Sequence, residues 1–164
     1  MSERILLKRE IKLKEYRYTE SGLNNVIVKG AHILVDDAGE RCVTIPNING
    51  LHKAIASGIV YRHSTMTGKE LRFLRSEMGM TQAELAAMVH REPLAISRWE
   101  RAEIPIDSNA EALIRLHAIE NLSLEEQATV QQITGWCVPT AKTLPLVIDG
   151  SDPSNYHLAR PKAA

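Results

Sequence analysis

Residues 81–100 read TQAELAAMVHREPLAISRWE, and the side chains best placed to do chemistry lie near the end of that stretch. On a helix opening at Pro93, Leu94, Ser97 and Arg98 share the outward face, with Arg91 and Glu92 just ahead of it. Ile96 and Trp99 take the other face and, with Leu85 and Val89, are spaced to share a core with Leu71 and Leu74. Two short helices joined by about three residues cannot lie antiparallel, so they cross steeply, with Ala86 as the small residue at the contact. That is helix-turn-helix geometry, and such a helix fits a DNA major groove about 12 Å wide.

Other chemistry is poorly represented. Cys42 and Cys137 form no CxxC pair, and the 6 histidines give no H-x(3–5)-H spacing, so no metal site and no cofactor is expected. Both cysteines read as small buried hydrophobes, and His63, His90 and His117 as surface or capping groups. No paired carboxylates, nucleophile with base or glycine-rich phosphate loop appears, so no catalytic residues and no enzyme are expected. Asp36-Asp37 is explained by turn chemistry. Twenty basic and 20 acidic residues balance, which argues against a blanket polyanion binder but permits a locally basic face. Aromatic content of 4% disfavours base-stacking single-strand binders. The charged stretch MSERILLKREIKLKE lacks a signal-peptide core and no apolar run suits a membrane helix, so a cytoplasmic chain is expected.

The elements that must hold the outward helix are legible to different degrees. Residues 65–138 carry four Ser/Thr-x-x-Glu capping patterns, Thr67…Glu70, Thr81…Glu84, Ser108…Glu111 and Ser123…Glu126, and Pro93 suits a first helical position. They predict five helices near 68–78, 82–89, 93–100, 109–120 and 124–136. Residues 1–64 read as a small α+β unit. Strands are expected near 16–18, 25–29 and 32–36, a hairpin in HILVDDAGERCVTI around Asp37-Ala38-Gly39, and a short helix in LHKAIASGIV. Residues 1–15 suit a basic strand or a frayed arm. Residues 139–164, with four prolines, read as an extended tail.

With TQAELA on one helix and AISRWE on the next, the chain resembles the Xre family of phage-repressor-type helix-turn-helix proteins across roughly residues 66–122. The resemblance implies an all-α five-helix lambda-repressor-like domain, which together with the N-terminal β-hairpin and helix makes the expected fold class α+β. It also implies binding of double-stranded DNA by a homodimer. The implied DNA-binding residues are Thr81, Gln82, Arg91, Glu92, Leu94, Ser97, Arg98 and Arg101, with Gln82 on the backbone and Arg98 as base reader. The turn departs from the family pattern. His90-Arg91 stands where a glycine and an apolar residue are usual, so His90 is expected to take a positive φ costing about 1 kcal/mol relative to glycine. Arg101-Ala102 replaces a common Asn-Gly. The layout also looks like that of MqsA-type antitoxins, without their zinc-ligating CxxC pairs.

The expected function is a transcriptional regulator, a repressor, on a palindromic operator, with two recognition helices about 34 Å apart. Dimerisation is assigned to Leu124, Val130, Ile133 and Trp136 of the last helix. The alternative is an antitoxin that binds a toxin protein through residues 1–64 and autoregulates its operon. Some basic side chains stay open to two readings. Arg98 could instead pair with Glu92 or Glu100; Lys69, Arg72 and Arg75 could be a solvated face or a phosphate-contacting one; Lys8–Arg17 could be a DNA-touching arm or a lysine-protected strand edge.

Overall fold

Alternating side chains at both ends of the chain build a sheet, and helical periodicity from Ile48 onward builds the remainder. A computed structural model describes residues 8–36, 43–139 and 145–159. The elements are β1 (Lys8–Arg17), β2 (Val26–Asp36), β3 (Val43–Thr44), α1 (Ile48–Val60), α2 (Gly68–Glu77), α3 (Gln82–Met88), α4 (Pro93–Glu100), α5 (Ser108–Asn121), α6 (Val130–Trp136), β4 (Leu146–Asp149) and β5 (His157–Leu158). The architecture is α+β. Among the described residues the sheet has five strands in the order β1-β2-β4-β5, with β3 also pairing β2.

β1 and β2 form an antiparallel ribbon in which Leu13 faces Ala31 and Tyr16 faces Val28. The sequence suggests a break at Gly30, but β2 runs straight through it. Gly30 holds φ +63°, a kink tolerated for want of a Cβ, and the inward set changes there from Val26 and Val28 to Ala31 and Ile33. The arms of the expected hairpin do pair, Leu34 with Thr44 and Val35 with Val43. Its turn at 37–39 and Cys42 lie outside the described residues.

The extended tail expected over 139–164 is corrected in its described part. β4 lies parallel to β2, Val26 opposite Leu146 and Lys29 opposite Asp149, and β5 closes antiparallel on β4. Leu146 and Ile148 point inward, a two-residue alternation too short to stand out beside the flanking Pro145 and Pro153. Helix α1 covers this sheet with Leu51, Ile55 and Ile59, all fully buried, and approaches it closely at Gly58. A Cβ there would stand 2.9 Å from the side chains of Leu146 and Leu158.

Local capping explains most helix boundaries. Thr67 and Thr81 each form the full reciprocal box with Glu70 and Glu84. At α5 the cap is Asp107, whose carboxylate accepts from the Ala110 N–H; Ser108 is already the first helical residue. The Ser123…Glu126 box does not form. Ser123 sits at φ +51° and closes α5, and the final helix begins at Val130 behind a Thr129–Gln132 box, so the expected 124–136 helix shrinks to 130–136.

Sheet and helices share one core running from Tyr18 and Val28 through Ile59 and Leu74 to Ile133. A charged junction reinforces it. The Arg115 guanidinium is fully buried and donates to the carbonyls of Val60, Arg62 and Ser64, 3.0, 2.6 and 2.5 Å away, at the end of α1 and in the segment after it. Glu111, one turn earlier on α5, lies 3.6 Å from that guanidinium and accepts from the Met66 N–H at 2.6 Å. Arg62 in turn forms a double hydrogen bond with buried Glu70, at 2.8 and 2.5 Å. Burial lowers the Arg115 pKa, and the Glu111 carboxylate opposes that shift. Three carbonyls and the Met66 N–H thereby find partners in the segment between α1 and α2, where no regular structure would supply them, while Glu111 Oε2 keeps only its ion pair with Arg115.

Candidate nucleic-acid interface

Helices α2, α3 and α4 meet through apolar side chains and a single carboxylate. Leu71, Leu74, Leu85, Ile96 and Trp99 are buried together, as their spacing implies. Gly68 lets the start of α2 rest on the end of α4: a Cβ there would lie 2.6 Å from the Glu100 carbonyl oxygen and closer still to that of Trp99. Glu100 then gathers the polar contacts. Arg75 donates to it through Nε at 2.5 Å and through its terminal nitrogen at 3.2 Å, and the Gln82 amide donates at 2.9 Å. Arg75 also donates to the Met80 carbonyl at 3.0 Å, tying the α2–α3 turn into the same cluster.

Each of α2 to α5 ends in a left-handed residue: Gly79, His90, Ala102 and Ser123, at φ +67°, +55°, +56° and +51°. In every case the next N–H reaches back to a carbonyl in the last turn, as Arg91 does to Ala86 at 2.9 Å and Glu103 to Arg98 at 2.9 Å. The positive φ expected at His90 is present, and a histidine carries out the reversal between α3 and α4 that glycine makes more cheaply.

This scaffold leaves one face of α4 uncovered. Leu94 is 56% exposed, and the Arg98 side chain is 50% exposed, its one carboxylate partner among the described residues being a distant Glu103 at 3.9 Å. Neither Glu92 nor Glu100 is the partner of Arg98; Glu100 is occupied by Arg75. Ser97 is half-buried beside them, and Glu92 is exposed at the helix start with no side-chain capping bond. Arg91 and Arg101 flank the face, lying 3.3 Å from Asp107 and 2.7 Å from Glu103. These six residues surround one exposed helix. Thr81 and Gln82 are used differently: the Thr81 hydroxyl caps α3, and the Gln82 amide is held by Glu100. Of the three cations on α2, Lys69 and Arg72 are exposed, whereas Arg75 is built into the Glu100 cluster.

The sequence gives little hint of that cluster, since Arg75 and Glu100 stand 25 residues apart. Arg115 had a weak local sign, a glutamate four residues ahead of it on the Ile114–Ala118 side of an apolar helix. The surface assigned to dimerisation is corrected. Leu124 and Ile133 are buried within their own chain, and Trp136 packs edge-on against Tyr61 and stacks on His63 at 4.8 Å. Only Val130 points out, at 62% exposure. Cys137 is buried, and that burial, with Glu111 beside it, pushes its thiol up to about 12, so it stays protonated.

Among the described residues, no helix is long and apolar enough to cross a membrane, and no group of three or more His, Cys, Asp or Glu side chains could hold a metal ion. Set against protein-family models, curated proteins and solved structures, the chain matches none.

Proposed function

We propose that this protein is a sequence-specific duplex-DNA-binding regulator. In this reading α2 to α6 act as a five-helix, lambda-repressor-like unit, with α3 and α4 as its helix-turn-helix. One observation carries it: α4 is clamped from behind by Ile96 and Trp99 while Leu94, Ser97 and Arg98 are left on its uncovered side. An arginine held at the surface of a fixed helix, with no carboxylate in firm contact, is matched to the O6/N7 edge of guanine. Arg91 and Arg101 border the same face and suit the phosphates on either side. Thr81 and Gln82 take supporting parts, one opening the second helix and the other helping Glu100 fix the third.

The protein acts as a homodimer on a two-fold site and represses by occupying a promoter. Since α6 turns only Val130 of its apolar side chains outward, the dimer surface is assigned to α5, where Leu113 is 47% exposed beside Leu116 and Met88 at a hollow of about 380 Å³. Selection of bound duplex from a random pool tests the reading, followed by titration of Arg98→Ala on the selected site. The substitution is expected to cost about 1–3 kcal/mol and to relax preference at one base pair per half-site. Unchanged affinity and preference would remove Arg98 as the reader.

A further inference from the structure

We propose that the cleft between the turn end of the β1–β2 ribbon and the start of α2 receives the DNA backbone bordering the groove that α4 enters. The sheet side of the molecule is then part of the nucleic-acid interface. This rests on the DNA-binding reading above and extends it to residues outside the helical unit.

The cleft measures about 620 Å³ and is walled by Arg17 and Asn24 of the ribbon, Lys69 of α2 and Arg101 just past α4. Three exposed cations from three separate elements converge on one concavity. In a chain with 20 basic and 20 acidic residues, that clustering is not a by-product of net charge. The acid on the wall, Glu100, does not cancel them, because Arg75 and Gln82 already satisfy it. The Arg101–Glu103 pair is half in water, where such pairs contribute little, so a phosphate can take the place of the glutamate. A concave wall of low dielectric also strengthens the field of the cations it carries.

Position selects a phosphodiester over an acidic protein surface. Arg101 stands seven residues beyond Leu94, about 10 Å along the helix axis at 1.5 Å per residue. That is close to the width of a major groove, about 12 Å. With Leu94 over the base edges, the end of α4 therefore meets the phosphate ridge, and Lys69 and Arg17 lie against the same ridge from the α2 and ribbon sides.

The test is an anisotropy titration at several salt concentrations, on a duplex that the unaltered chain selects from a random pool. Arg17→Ala and Lys69→Ala remove exposed side chains from the cleft. Each is expected to weaken binding by the same factor on the selected and a scrambled duplex. Each also flattens the slope of log K against log salt by about 0.9, and the double variant by about 1.8. If the unaltered chain selects a duplex and the double variant keeps its slope, the cleft does not hold phosphate, while the role of α4 stands. If the unaltered chain enriches no duplex, the DNA-binding reading falls and takes this inference with it.

Discussion

The helices from α2 to α5 and the sheet that faces α1 are stabilised over different distances along the chain. Caps in the helical region act three residues apart, as between Thr67 and Glu70 or Thr81 and Glu84, and each terminal reversal is closed within five. The sheet depends on Val26 meeting Leu146, 120 residues later. Arg115 joins the two regions, anchored on α5 but donating to carbonyls at the end of α1 and beyond it. A structure held by short-range bonds is specified where it stands; one held by long-range pairs is specified only once the chain has closed on itself.

The comparison breaks most severely at that join. Arg115→Met should strand the Glu111 carboxylate and three carbonyls inside the protein, at a cost of about 3–5 kcal/mol. Urea unfolding followed by far-ultraviolet dichroism would measure it; a loss below 1 kcal/mol would mean that the two regions do not lean on this residue. Gly68→Ala forces α2 away from the end of α4 and should cost about 1–3 kcal/mol, read from the same midpoint. The contrast among caps is sharper. Thr81→Ala should cost about 1 kcal/mol, whereas Ser108→Ala should fall within about 0.5 kcal/mol of zero, because Asp107 does the capping there. Equal losses at both positions would contradict the assigned boundary. One substitution should be a gain: His90→Gly relieves the left-handed histidine and should raise stability by up to about 1 kcal/mol, visible as a higher melting temperature.

Legibility in the sequence follows the same division. Pro93 opening α4, the boxes at Thr67 and Thr81 and the apolar set from Leu71 to Trp99 could all be read from spacing, because each is a local pattern. So could the strained turn at His90. Ser123…Glu126 has the letters of a cap but follows a residue run that ends one helix rather than starting the next, and pattern alone does not separate those cases. The outward placement of Leu94 and Arg98 was accessible as the complement of the buried face. The hold of Glu100 on Gln82, the edge-on packing of Trp136 against Tyr61, and the strand at 146–149 were not, since each needs a partner that only tertiary structure supplies.

The insertion of β4 between β2 and β5 has a consequence for synthesis. When β2 leaves the ribosome, its edge over Val26–Lys29 has no neighbour, and it waits while some 120 further residues are made. At ordinary translation speeds that interval is on the order of ten seconds. By then the self-capping helices have had time to form, so β4 docks onto a nearly finished body, and a chain halted before Leu146 would leave an unsealed, aggregation-prone seam at the hairpin.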